Sequence, residues 1–259
     1  MTITKAIILS AGKGSRLYPF TEDRPKCLLE LSGRTLLEWQ LDALAASGVR
    51  TVTVVTGFHH DLVAGVIAAR GTGRGRVETL FNPFYQVADN LGTVWVARDS
   101  FNGDCLVLNG DTIVSKEIAE KVVHAGIAGI TVTVDESDED YDDDDMKVVR
   151  DPDGRLRRIG KQLGSSAINA ESIGMIVFRE DGAQRFVDAV EAMMRTAQGT
   201  TSWYLKVIDA LAAESRVETL SIKGLQWGEV DYLEDVAIAR GITAEWKLSD
   251  DGLAGAQPA

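Results

Sequence analysis

Short apolar runs alternate with longer stretches in which apolar residues recur every three or four positions. Ala6–Leu9 is an apolar run of strand length, and Arg34–Gly48 carries Leu37, Leu41 and Leu44 on one helical face with Gly48 placed to end it. Thr51–Thr56 is β-branched and predicts a parallel strand. Asp61–Arg70 predicts a helix capped by Asp61, Arg76–Phe81 a third strand, Asn90–Arg98 a helix start capped by Asn90, and Asp104–Leu108 a fourth strand. This alternation predicts an α/β fold with a doubly wound, mainly parallel sheet.

Beyond Asp111 the rhythm changes. Gly129–Val134, Met146–Val149, Leu156–Gly160, Ser172–Phe178 and Val217–Ser221 read as strands, with Asp151-Pro152-Asp153-Gly154 as a tight turn. Phe186–Met194 and Trp203–Ala213 read as amphipathic helices and Leu233–Gly241 as a last one. Residues 1–245 are expected to form one domain with halves at 1–112 and 113–245, followed by a frayed tail over 246–259. The glycine-rich stretch Gly71–Gly75 reads as a flexible loop.

The chain has 259 residues, 45% of them hydrophobic, which suits one α/β domain with an ample core. Its net charge of −12 argues against general nucleic-acid binding, so any phosphate-binding cations must be local. Cys27 and Cys105 are too few for a disulfide framework and lack metal-ligand spacing; both are expected as buried, reduced thiols. The chain enters its first strand without a signal peptide and holds no apolar run of membrane-spanning length, so a cytoplasmic protein without membrane insertion is expected.

Candidate chemistry starts after the first strand. Leu9-Ser10-Ala11-Gly12-Lys13-Gly14-Ser15-Arg16 is followed by Arg24-Pro25-Lys26. Gly12 and Gly14 allow unusual backbone angles and close approach of main-chain N–H groups to an anion, while Lys13, Arg16 and Lys26 supply positive charge. A strand, a glycine-rich turn and cations together suit a nucleoside triphosphate. The Walker spacing is absent, and Tyr18-Pro19 interrupts where a dinucleotide fingerprint needs a helix.

A second constellation is acidic. The apolar run Leu106–Leu108 leads into Asn109-Gly110-Asp111, which places Asp111 at the carboxyl end of a strand, where ligand sites in such sheets lie. Asp111 suits Mg²⁺ beside a triphosphate, or the N-cap of a segment starting near Val114. In Trp227-Gly228-Glu229-Val230-Asp231, Glu229 and Asp231 share a strand face, and one of them could share the metal. Glu234 and Asp235 fit a helix start, and the acidic run Asp135–Asp145 reads as a solvated loop.

The first string resembles the signature loop of the nucleotidylyltransferases that act on sugar phosphates and phospho-alcohols, L-x-A-G-x-G-x-R followed by P-K, at every position. The family's W-x-E-[I/V]-D-x-x-E-D element is similar to Trp227–Asp235. This resemblance implies a three-layer α/β/α sandwich with a mainly parallel, Rossmann-like central sheet and a small β-rich insertion that binds the acceptor. It implies an NTP-binding first half and an acceptor-binding second half. It also implies Mg²⁺ on Asp111 and Asp231, catalytic roles for Arg16 and Lys26, and nucleotide contacts from Leu9, Ala11, Gly12, Lys13, Gly14, Ser15, Arg16, Asn90 and Thr93.

Glu171–Met175, the surroundings of Lys161 and Trp227–Asp235 look most like the phosphocholine cytidylyltransferase branch. That branch implies CTP and a phosphorylated acceptor with a cationic head. Aromatic faces and carboxylates are natural partners for such a head, which makes Trp203, Tyr204, Trp227, Glu171 and Glu229 candidates, with Lys161 for the acceptor phosphate. Trp203 and Tyr204 equally suit packing at a helix start. The alternatives are a sugar 1-phosphate with UTP, dTTP or GTP, and a non-catalytic nucleotide-sensing domain. Retention of both Asp111 and Asp231 favours catalysis, and a homo-oligomer is left open.

Overall fold

The structure is a computed structural model that describes residues 2–71, 73, 75–127, 129–136, 141–164 and 167–254. Its strands are β1 (Lys5–Ser10), β2 (Glu30–Leu31), β3 (Arg34–Thr35), β4 (Thr51–Thr56), β5 (Arg76–Phe81), β6 (Cys105–Asn109), β7 (Thr112–Val114), β8 (Ile130–Asp135), β9 (Lys147–Arg150), β10 (Leu156–Gly160), β11 (Ala170–Phe178), β12 (Glu218–Ser221) and β13 (Trp227–Glu229). Its helices are α1 (Leu36–Ala46), α2 (His60–Arg70), α3 (Asn90–Val96), α4 (Lys116–His124), α5 (Gly182–Met194), α6 (Leu205–Glu214) and α7 (Leu233–Ala254).

Among the described residues, nine strands form one sheet with the path β10-β9-β11-β6-β1-β4-β5; β8 branches from β11 and pairs in turn with β12. The β6-β1-β4-β5 part is parallel, as the strand–helix alternation requires. β11 is antiparallel to β6, β8 and β9, and the β-rich insertion is the antiparallel pair β9 and β10 extending this sheet. Successive strand residues point to opposite faces. Ile7, Val107 and Ile176 therefore pack with α3, α5 and α6, while Ile8, Leu106 and Met175 pack with α1, α2 and α4. The result is a three-layer α/β/α sandwich. Cys27 and Cys105 are buried and free, and burial pushes both thiols up to about 12.

A third apolar cluster lies outside these layers. Leu17 and Leu29 from the segment after β1 pack with Trp39 of α1, Ile113 of β7, Val230, and Val236 and Ala239 of α7. It ties the glycine-rich loop to the C-terminal elements and positions the site.

Several local expectations are corrected. Thr35 caps α1, its hydroxyl accepting from the Glu38 N–H while the Glu38 carboxylate accepts from the Thr35 N–H. The residue before α2 is His59, in the left-handed region at φ 47°, so Asp61 lies in the first turn instead. Asp89 rather than Asn90 precedes α3. Ser115 caps α4, which frees Asp111 from the capping role. The chain does not fray at residue 246, because α7 continues to Ala254 with Gly241 inside it. Ile242 and Trp246 carry its apolar face onto the third cluster, with Trp246 edge-on to Trp39 at 5.9 Å. Within the Gly71–Gly75 loop, residues 72 and 74 lie outside the described residues, as do 137–140 of the acidic run and 255–259 of the tail.

Candidate active site

β1 delivers the chain into the glycine-rich loop. Gly14 has φ 71°, and a Cβ there would stand 2.9 Å from the Lys26 Cβ, so both the backbone angle and the room require glycine. Gly12 is different: its φ is ordinary, and a Cβ on it would face open space. Its place is in the wall of a cleft of about 280 Å³, whose other linings include Leu9, Ala11, Gly14, Lys26, Asn90, Thr93 and Asp111. Thr21 fixes the loop by donating its hydroxyl proton to the Gly14 carbonyl at 2.8 Å.

Asp111 follows β6 in a turn and leads into β7. β7 pairs antiparallel with β13, setting Thr112 opposite Glu229, and the Val230 N–H donates to the Asp111 carbonyl at 3.1 Å. This small ribbon brings two distant acidic segments together. Carboxylate oxygens of Asp111, Glu229 and Asp231 lie within 4.8 Å of one another. The turn after β13 is held by Asp235, whose carboxylate accepts from the N–H groups of Asp231 at 2.8 Å and Tyr232 at 2.7 Å. From behind, the fully buried Gln40 of α1 donates its amide hydrogens to the carbonyls of Asn109 and Thr112, both at 2.7 Å.

Lys26 inserts between the acids. Its Nζ is 3.0 Å from Asp111 Oδ2 and is hydrogen-bonded to Asp231 Oδ1. Burial works against the ammonium, but the two carboxylates outweigh it and hold the pKa above the usual lysine range. Glu229 opens to solvent at one edge; nonetheless lost hydration, then Asp111 and Asp231, raise its carboxyl above the ordinary range. Asp111 Oδ1 is buried with no hydrogen-bond partner. Three clustered carboxylates and an unsatisfied oxygen fit a hard divalent cation, which takes oxygen ligands.

A second cleft, of about 220 Å³, shares Asn90, Asn109 and Asp111 with the first and adds Arg16, Asp144, Lys161, Trp203, Glu229 and Asp231. Trp203 is 44% exposed, and the Lys161 Nζ stands 5.1 Å from its ring centroid. Arg16 lines this second cleft rather than the first, with Nη1 3.6 Å from Asp144 and 3.8 Å from Asp231. Lys13 and Ser15 are in neither lining; Lys13 lies 5.3 Å from the Phe58 ring centroid. A separate cavity of about 270 Å³ beside Trp39 and Trp246 shares no residue with either cleft.

The acceptor candidates divide. Lys161, Trp203 and Glu229 reach the second cleft, and Tyr204, Trp227 and Glu171 are not in its lining. Tyr204 is fully buried and donates its hydroxyl to Asn109 Oδ1 at 2.9 Å. Trp227 lies against the core and donates its indole N–H to Asp135 Oδ2 at 2.8 Å. Glu171 pairs in register with Asp135 and Lys147, and burial followed by Asp145, Asp135 and Asp142 raises its pKa to about 7. Asn90 accepts from the Tyr204 N–H at 2.9 Å, and Thr93 accepts from Asn82 Nδ2 at 3.1 Å. Asn109, Asp144 and Tyr232 escaped the sequence reading: Asn109 closes an apolar strand, Asp144 is one of many acids in a run, and Tyr232 looks like a spacer.

Residues 5–144, more than half of the chain, match the model of the family described as nucleotidyl transferase. The chain belongs to that family. This nucleotidyl transferase is 23% identical to the CTP:phosphoglutamine cytidylyltransferase of Campylobacter jejuni, over 90% of its own length and 98% of the relative's. It is 28% identical to the CMP-5'-(3-aminopropyl)phosphonate synthase of Streptomyces rubellomurinus over 88% of its own length, which spans 37% of that longer protein. In fold it matches the CTP:phosphocholine cytidylyltransferase of Streptococcus pneumoniae with a TM-score of 0.77 at 19% identity, covering 94% of this chain and 100% of that one. An apo UDP-glucose pyrophosphorylase matches with a TM-score of 0.75 at 13% identity, covering 95% and 99%. No described helix of the nucleotidyl transferase is long and apolar enough to cross a membrane.

Proposed function

We propose that this enzyme transfers CMP from CTP to a phosphorylated small-molecule acceptor, releasing pyrophosphate. The observation that carries the reading is the convergence of Lys26, Asp111, Glu229 and Asp231 at the mouth of the glycine-rich loop. In the reaction, an acceptor phosphate oxygen bonds to the α-phosphorus while the bond from that phosphorus to the bridging α,β-oxygen breaks. The electron pair leaves with pyrophosphate. The attacking oxygen is already anionic, so positioning and charge neutralisation carry the catalysis.

The Gly12–Gly14 backbone cradles the phosphates and Asn90 and Thr93 border the same cleft, in keeping with an NTP-binding first half. Lys26 keeps its proton and acts as a fixed charge beside the α-phosphate. Arg16 lies where it can neutralise the leaving group or the acceptor phosphate. Asp111 and Asp231, with Glu229 as a third donor, would hold Mg²⁺, which supplies charge neutralisation at the phosphates when bound.

The acceptor class we favour is an amino-alcohol phosphate or phosphonate of the phosphocholine type. The exposed Trp203 face already holds an ammonium, that of Lys161, and Glu229 stands in the same cleft. Cytidylyl relatives with amine-bearing acceptors support CTP. A sugar 1-phosphate with UTP, dTTP or GTP is the second reading, supported by the fold match to a UDP-glucose pyrophosphorylase. A cytoplasmic location accords with substrates of this kind. A pyrophosphate-release screen decides: CTP with phosphocholine, phosphoethanolamine and 3-aminopropylphosphonate should turn over. Release only with UTP, dTTP or GTP and hexose 1-phosphates would replace the first reading with the second.

A further inference from the structure

Asp144 belongs to the connection between β8 and β9 and leaves its acidic neighbours to enter the second cleft. Its carboxylate meets Lys161 Nζ at 3.3 Å and Arg16 Nη1 at 3.6 Å, and accepts a hydrogen bond from the Tyr232 hydroxyl. These donors come from three separate segments: the glycine-rich loop, the residue after β10 and the turn before α7. Its side chain is 47% exposed, open enough for solvent and ligand to reach it. The Tyr232 hydrogen bond and then Lys161 keep its carboxyl below the ordinary aspartate range, so it is an anion at neutral pH.

Two cations and a hydroxyl fanned around one carboxylate are also the donor set that a phosphate monoester draws. Two anions cannot share them without strong repulsion. We infer that Asp144 is an internal stand-in for the acceptor phosphate: it occupies the anion seat made by Arg16, Lys161 and Tyr232 and must leave that seat when a phosphorylated acceptor binds. Asp144 thereby acts as a latch opened by substrate. Arg16 stays poised in either state, since its guanidinium carbon also lies 5.1 Å from the Tyr232 ring centroid.

What the seat is for rests on the transfer reading above, whereas the exchange of anions does not depend on turnover. The test therefore begins with inorganic phosphate titrated calorimetrically into wild-type enzyme and Asp144→Asn, without nucleotide. The variant keeps the shape and loses the charge. It should bind phosphate about five- to tenfold more tightly, the scale expected for two relieved, partly exposed ion pairs. Equal or weaker binding overturns the inference. With an acceptor that turns over in the screen, Asp144→Asn should lower the acceptor KM while changing kcat less. A raised KM would instead make Asp144 a partner of the acceptor's cationic head and overturn the latch. Tyr232→Phe should weaken phosphate clearly in the Asp144→Asn background, where the phosphate alone uses the hydroxyl, and much less in the wild-type background, where Asp144 loses the same donor. Fully additive effects overturn the shared seat. If no acceptor turns over, the transfer reading fails and the phosphate titration still decides on the latch.

Discussion

Lys26 neutralises acids that would otherwise repel one another across the crevice. Lys26→Met should lower turnover by about a hundredfold or more, because a fixed charge beside the reacting phosphate is lost. The same change should destabilise the metal-free protein by roughly 1–3 kcal/mol, since partly buried carboxylates lose their partner. Thermal unfolding in a chelator measures this, and added Mg²⁺ should recover more stability in the variant than in wild type. Gly14→Ala should also cut activity, because it needs a left-handed backbone and presses a methyl group on the Lys26 stem. The sequence made both residues visible, since a glycine-rich turn with cations has few other uses. It did not show that Lys26 faces the acids, because ion-pair partners far apart in the chain leave no local pattern.

At the level of elements, the parallel strands and their helices were legible because apolar periodicity reports burial directly. The β7–β13 ribbon was not, being three residues a side and defined by pairing between remote segments. For the same reason the sequence leaves open which of Glu229 and Asp231 joins Asp111, whereas the ribbon sets both beside it. Trp227 shares a strand face with Glu229, yet its ring packs against the second apolar cluster and its indole N–H is taken by Asp135, contacts that no pattern along β13 reveals. Replacing Trp203 by Ala should accordingly raise acceptor KM more than CTP KM, while Trp227→Phe should leave their ratio unchanged; steady-state kinetics with both substrates varied separates the two.

β11 carries a pH-dependent element. Glu171 titrates at about 7 in the folded chain against an ordinary 4.5, burial being the largest cause, with Asp145, Asp135 and Asp142 adding to it and Lys147 opposing them. The folded state then binds the extra proton between those values, so stability falls as pH rises from about 4.5 to about 7. Glu171→Gln should remove this slope and stabilise the protein by about 1–2 kcal/mol at pH 8, a figure reduced for the solvent that reaches the group. Denaturant melts at pH 5 and pH 8 read it; a wild-type slope surviving in the variant would assign the effect to other carboxylates.

Across the whole molecule, each half brings part of the crevice and neither closes it alone. The first half supplies the glycine-rich loop, Lys26 and Asp111, and the second supplies Lys161, Trp203, Glu229 and Asp231. Mg²⁺ should therefore raise the melting temperature of wild type, and Asp111→Asn should abolish that rise along with turnover while keeping the far-ultraviolet circular dichroism of the fold. Calorimetric scans with and without chelator check it. What sequence patterns could not supply was this joining of halves, which depends on the third apolar cluster and the long α7 rather than on any single motif.

Gln40 shows what such joining demands. Its amide clasps the main chain on either side of the turn that presents Asp111, from a position wholly buried behind the cleft. A survey of inactivating substitutions should thus score this glutamine like a member of the chemistry itself. Shortening it would let the aspartate drift by a fraction of an ångström, and fidelity of aim, rather than loss of any reacting group, would be the casualty.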